Sequence, residues 1–174
     1  MEDYSTYSPP GWDDFEPTYL PNDEIIFCST RANRYVQCWM TQVGTLHKCD
    51  ADGGNVRALS ANVEHDNTPW VLSNGQVAYM RWEYVDRFHM GFHHLWSMNP
   101  DGTGTTEVYG NMICFPEAMI YPRPIPGSSS KIVFLGTSHC CPNNGVGTVI
   151  VIDTNDDVRS PETMNYVTGD VRTY

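Results

Sequence analysis

An all-β fold of repeated four-stranded antiparallel sheets is predicted by three observations in this 174-residue chain. The stretch from Pro17 to Phe27 (PTYLPNDEIIF) aligns with Pro69 to Tyr79 (PWVLSNGQVAY) at an offset of 52 residues. A second block, Leu46 to Val56 (LHKCDADGGNV), aligns with Leu95 to Thr105 (LWSMNPDGTGT) at an offset of 49. No segment shows the 3.6-residue apolar period of a helix, whereas short β-branched and aromatic runs between turn residues recur throughout. Self-similarity at this period decides the fold before any single motif does.

Taken in order, each repeat reads as four strands. The first block is Pro, a short apolar strand, a polar turn and a second apolar strand. Its third copy runs from Pro122 through the turn Pro126-Gly-Ser-Ser-Ser130 to Phe134, with two extra turn residues. The second block is a strand running into an Asp/Asn/Gly turn, where glycine supplies positive φ and Asx side chains bond their own backbone. Short strands follow at Val56–Leu59 and Thr105–Val108, and the third version of the block is Val149 to Asp157. Four antiparallel strands repeated in this way make the blade of a β-propeller, with strand one near the axis and strand four at the rim. The expected architecture is a partial propeller of about three blades: blade 1 over 14–61, blade 2 over 62–112, and blade 3 with the start of a further blade over 113–174. Residues 1–13, polar and Pro-containing, are expected to be disordered or loosely packed. Closed propellers use about four to eight blades, so this chain is expected to be a piece of a larger ring.

Composition narrows the function classes. With 40% hydrophobic residues the chain can build a core, and its net charge of −11 would repel nucleic acid and anionic bilayers at long range. No nucleic-acid partner and no membrane insertion are expected, since no apolar run approaches the roughly 20 residues of a membrane span. The first fourteen residues hold no basic patch followed by an apolar stretch, the pattern of a secretory signal. The cysteines at 28, 38, 49, 114, 140 and 141 form no C-x-x-C pair and no zinc-ribbon spacing. Buried free thiols, a Cys28–Cys38 disulfide across a hairpin, and a metal or redox role for Cys140-Cys141 all fit that spacing.

The turn DADGGNVRAL (50–59), preceded by an apolar strand, resembles the repeat of TolB-like propellers, relatives of the WD type. The strings HDNTPWVLSNGQVAYMRWEYVDR (65–87) and HHLWSMNPDGTG (93–104) resemble the middle, propeller domain of hydrazine synthase alpha-subunit-like proteins. CWMTQVGTLHKCDADGGN (38–55) and PIPGSSSKIV (124–133) extend that likeness, which runs from about residue 14 to 157. In that family haem groups join nitrogen species into hydrazine, and they belong mainly to domains flanking the propeller, attached through C-x-x-C-H. This chain has no C-x-x-C-H, so no cofactor is expected in it, and haem is expected only in flanking domains of a full-length protein. The string GTSHCCPNNGVG (136–147) departs from the Gly/His-rich loop that relatives carry there. The resemblance also implies a periplasmic or other extracytoplasmic location.

Propeller geometry sorts the candidate residues. Loops from strand two to three and from strand four to the next blade emerge on one face, and the tight turns emerge on the other. The first face is expected to gather Arg31 to Arg34, His65-Asp66, 81–94 and His139-Cys140-Cys141. Binding functions concentrate on loops held by a rigid scaffold. Arg81, Glu83, Tyr84, Asp86 and Arg87 are the ligand-face candidates, with Glu83 placed to pair with Arg81 or Arg87. Metal candidates are His65, Asp66, His89, His93, His139 and Cys140, because imidazole and thiolate are good ligands for zinc or iron. His93 and His94 are neighbours on a strand and must point to opposite faces, so at most one serves a given site. His65 has a structural alternative, bonding within the scaffold.

No phosphate loop, Ser-His-Asp signature or H-E-x-x-H motif is present. The leading expectation is therefore a non-catalytic interaction scaffold within a larger, exported multidomain protein. Its partners would be other blades, domains or subunits. Two alternatives stand beside it: supporting or ligand residues for a haem or metal redox enzyme, and a TolB-like propeller that binds peptide or carbohydrate.

Overall fold

The computed structural model describes residues 11–86, 91–110, 113–139, 147–157 and 159–169. Among them the first sheet holds β1 (Asp14–Tyr19), β2 (Ile25–Ser29), β3 (Thr45–Cys49) and β4 (Arg57–Ala58), hydrogen-bonded in that order. The second comprises β5 (Asp66–Val71), β6 (Val77–Trp82), β7 (His93–Met98) and β8 (Thr106–Tyr109). The third comprises β9 (Ala118–Pro124), β10 (Lys131–Thr137), β11 (Thr148–Asp153) and β12 (Asn165–Tyr166). Within each sheet successive strands are antiparallel. One parallel pair, His93 opposite Ala118, links the second sheet to the third. No α-helix occurs among the described residues. The fold is an all-β partial propeller of three four-stranded blades.

The repeat in sequence is a repeat in hydrogen bonding. In blade 1 the Leu20 amide donates to the Glu24 carbonyl at 2.8 Å, and in blade 2 Leu72 does the same to Gln76 at 2.8 Å. Blade 3 closes the equivalent turn from Ile125 to Lys131 at 3.0 Å, longer by the two extra residues. The Asp/Gly turns match as well: Asp50 donates to Gly54 at 2.9 Å and Asn99 to Thr103 at 2.8 Å. Blade 3 differs here, because a one-turn 3-10 helix at Pro161–Thr163 intervenes before β12. Tyr109 anchors that detour by donating its hydroxyl to the Ser160 carbonyl at 2.9 Å.

The repeated prolines mark a feature that the pattern alone did not reveal. Glu16, Thr68 and Tyr121, each directly before one of those prolines, have φ of 54°, 56° and 57°. At each the pairing of the inner strand with its neighbour slips, as a β-bulge does. Proline cannot donate to a ladder and restricts the residue before it, so the inner strand bends at the same place in all three blades.

Alternation along the strands forms two inter-blade cores. Ile26, Cys28 and Leu46 of blade 1 meet Val77, Tyr79 and Met98 of blade 2. Leu95 and Tyr109 of blade 2 meet Met119, Ile132, Phe134, Ile150 and Ile152 of blade 3. A third cluster, including Val36, Val43, Met80, Trp82 and Ile120, lies under the face that carries the long loops. Cys28 and Cys38 are both free thiols, so the hairpin disulfide is not formed. The reason is direction: Cys28 points into the buried blade interface, where it contacts Glu16 Oε2 at 3.5 Å, while Cys38 is exposed.

Candidate functional site

The loop from 30 to 44 folds back on itself. Val36 donates to Thr41 at 2.9 Å and Val43 donates to Arg34 at 2.7 Å, with Tyr35 and Gln42 bridged across. Val36 and Val43 are buried and anchor this arm, whereas Trp39 and Met40 near its tip are 72% and 58% exposed. The arm is tied to the next blade by the Gln37 amide donating to Glu64 Oε1 at 3.1 Å and by Arg34 donating to the Asn62 carbonyl at 2.6 Å.

His65 and Asp66 open the inner strand of blade 2. The Gly44 amide donates to His65 Nδ1 at 3.0 Å, which places the proton of the neutral ring on Nε2. Burial pushes the His65 imidazole down to about 4, so it is uncharged at neutral pH. Asp66 is fully buried and receives Arg81 through Nε at 3.0 Å and Nη2 at 3.3 Å. Burial raises the Asp66 carboxyl above its ordinary value, with Arg81 pulling the other way. Arg81 therefore pairs with Asp66, its cross-strand partner, with Glu83 adding to the negative field around it; the other expected partner of Glu83, Arg87, lies outside the described residues. These groups pin the scaffold.

Trp82, 4% exposed, gathers the histidines. His93, directly across the strand pair, stacks on it at 4.7 Å with ring planes 17° apart. His65 stacks at 5.8 Å, His139 lies tilted at 5.2 Å, and Tyr84 meets it edge-on at 5.6 Å. His93 Nε2 and His139 Nδ1 share a hydrogen bond of 2.8 Å, and the His139 amide donates to Glu117 at 2.7 Å. His94 points the other way, beneath Gly110 and edge-on to Phe92 at 5.2 Å. Glu83 is held by its amide donating to the Phe92 carbonyl at 2.8 Å, and Asp86 is exposed. Arg87, His89, Cys140 and Cys141 lie outside the described residues.

Together these elements enclose a cavity of about 740 Å³ on the long-loop face. Its wall takes in Glu16, Trp39, His65, Trp82, His93, Tyr121 and His139. Blade 1 thus supplies a large part of the wall, including Trp39 and Glu16, which sequence reasoning did not single out. The available signal was Trp39-Met40, two large apolar residues side by side in a loop between strands. No group of three or more His, Cys, Asp or Glu able to hold a metal occurs among the described residues. Among the described residues the wall contains no lysine or arginine, and His93 and His139 direct their facing nitrogens at each other.

The class defined by blade order and strand order is the β-propeller. No family model matches the sequence, and no curated protein matches it. Among solved structures the fold is similar to a TolB protein of Agrobacterium tumefaciens, with TM-score 0.57 and 15% identity over 81% of this chain. It is also similar to the hydrazine synthase of Kuenenia stuttgartiensis, with TM-score 0.66 and 15% identity over 84% of this chain. A puromycin-hydrolysing peptidase of Mycobacterium tuberculosis gives TM-score 0.54 and 12% identity over 83%. This chain spans 46%, 22% and 19% of those three chains, respectively. At these identities the likeness is one of fold.

Proposed function

We propose that this chain is a non-catalytic propeller segment, an interaction module within a larger, extracytoplasmic multidomain protein resembling the hydrazine synthase alpha subunit. One observation carries the reading. On blade 3, Val133 pairs across the strands with Val151 and Leu135 with Val149, all four half-buried; Leu135 packs on the cluster that holds Met80 and Trp82, while the three valines lie on the face opposite the core residues Ile132, Phe134, Ile150 and Ile152. A sheet face turned to water alternates to polar residues; this one keeps an apolar centre of valines, flanked by Arg123 and Asn165 across the strands and by Lys131 and Asp153 at one end, which suits a blade face set against a neighbour. The next blade or a partner domain seats there.

A photo-cross-linking residue at position 151 of the full-length protein tests this. The expected product is a link to another part of the same polypeptide or to a bound subunit, and the absence of any link would overturn the docking role. Haem titration of the purified chain tests the non-catalytic half. No saturating one-to-one Soret change is expected, and stoichiometric uptake would overturn it.

A further inference from the structure

We propose that the long-loop cavity binds a protonated primary amine on an apolar stem, the chemistry of a lysine side chain presented by a peptide partner. The inference rests on reading this face as the binding face of an interaction module, and it names the group that is bound.

Charge gives the first argument. Among the described residues the wall contains Asp13 and Glu16 and neither lysine nor arginine. Of the arginines around it, Arg123 offsets part of the Glu16 charge from outside the wall, and the others are committed elsewhere. Arg31 pairs with Asp14 at 2.8 Å, Arg34 donates to the Asn62 carbonyl, Arg81 holds Asp66, and Arg123 lies 3.7 Å over the Trp70 ring. His65 adds no compensating charge, because burial keeps it neutral. An anionic ligand would enter this cavity against its field, and a cation would enter with it.

The second argument is the surface offered. Trp39, Tyr35 and Tyr121 are 72%, 46% and 40% exposed in the wall, and the ring faces of such residues attract cations. Apolar stems pack on the same faces. Hydrogen bonding gives the third. Thr68, 5% exposed, has a hydroxyl with no hydrogen-bond partner among the described residues, and Asn67 Oδ1 is likewise unpartnered. Both residues belong to the wall. An ammonium group brings three donors and no acceptor, the complement of these oxygens and of Glu16. A volume of about 740 Å³ admits such a side chain with its flanking backbone.

The test is calorimetric and fluorescence titration of the full chain with two capped tripeptides, Ala-Lys-Ala and its norleucine counterpart, and with cellobiose. The lysine peptide is expected to bind at least about tenfold more tightly than the norleucine peptide and to perturb tryptophan emission. Trp39→Ala, at an exposed position, is expected to weaken that binding by roughly 2- to 30-fold with the circular dichroism spectrum unchanged. Glu16→Gln is expected to reduce the lysine preference. Equal binding of the two peptides, saturable cellobiose binding without lysine binding, or no saturable binding at all would overturn the proposal. None of these outcomes bears on the cross-link at position 151, so the ligand and the module fail separately.

Discussion

His65 is where a single side chain writes pH into stability. Its imidazole stays neutral down to about 4 in the native protein, while in the unfolded chain it takes up a proton near the ordinary value of about 6.5. Between those values the unfolded state holds a proton that the folded state lacks. The His65 contribution is complete above about 6.5 and is lost progressively as pH falls toward about 4. NMR titration of the His65 ring is expected to show no midpoint above about 5, and a midpoint near 6.5 would refute its burial. The Asp66–Arg81 pair makes the complementary case. Asp66 has 0% side-chain exposure and Arg81 17%, so Arg81→Met strands a buried carboxylate. Urea denaturation is expected to show a loss of about 3 kcal/mol, with the double variant Asp66→Leu/Arg81→Met losing less than the single one. A double variant less stable than Arg81→Met would mean that the pair contributes through more than mutual neutralisation.

At the scale of the element, two glycines separate turn chemistry from packing. Gly53 and Gly102 occupy the same position of the Asp/Gly turn in blades 1 and 2, with φ of +84° and +88°. A Cβ at Gly53 meets open space, whereas one at Gly102 would lie 2.9 Å from the Leu59 carbonyl oxygen. Gly53→Ala is thus expected to cost the left-handed penalty alone, about 1 kcal/mol, and Gly102→Ala at least about 1 kcal/mol more. Equal melting temperatures for the two variants would show that the blade 2 turn does not press on Leu59. Such turns were legible in the sequence because their chemistry is local: Asp, Asn and Gly are required wherever the chain reverses so tightly. The bulges were not, since Glu16, Thr68 and Tyr121 share no side-chain property and only the following proline recurs. The cavity was half legible. His65, His93 and His139 advertise themselves by type, and strand alternation correctly divides His93 from His94. Trp39 sits in a loop with no counterpart of equal length in the other blades, and what makes it part of a wall is the folding back of 30–44, a non-local event.

The whole molecule is three wedges around part of an axis, and its two inter-blade cores leave one further wedge face on blade 3. That face carries Val133, Val149 and Val151 on adjacent strands, with Leu135 at its edge packed on the cluster of Met80 and Trp82. In the chain by itself these residues have water or another copy of the chain as neighbour, and apolar area removed from water is worth roughly 25 cal/mol per Å². Sedimentation velocity is expected to show concentration-dependent association of the isolated chain, in spite of its net charge of −11. Substituting the centre of the face with charge, as in Val133→Lys or Val151→Glu, then has opposite consequences in two settings. In the isolated chain it removes the sticky surface and shifts the distribution to monomer. With a further blade seated there in the full-length protein, as proposed, the same charge is forced between two blades without a partner, at a cost of several kcal/mol, and the melting temperature falls. A face that water normally covers would give neither effect, and one that serves only self-association would give the first without the second. The sign in the longer protein is therefore what distinguishes an open ring from a finished domain.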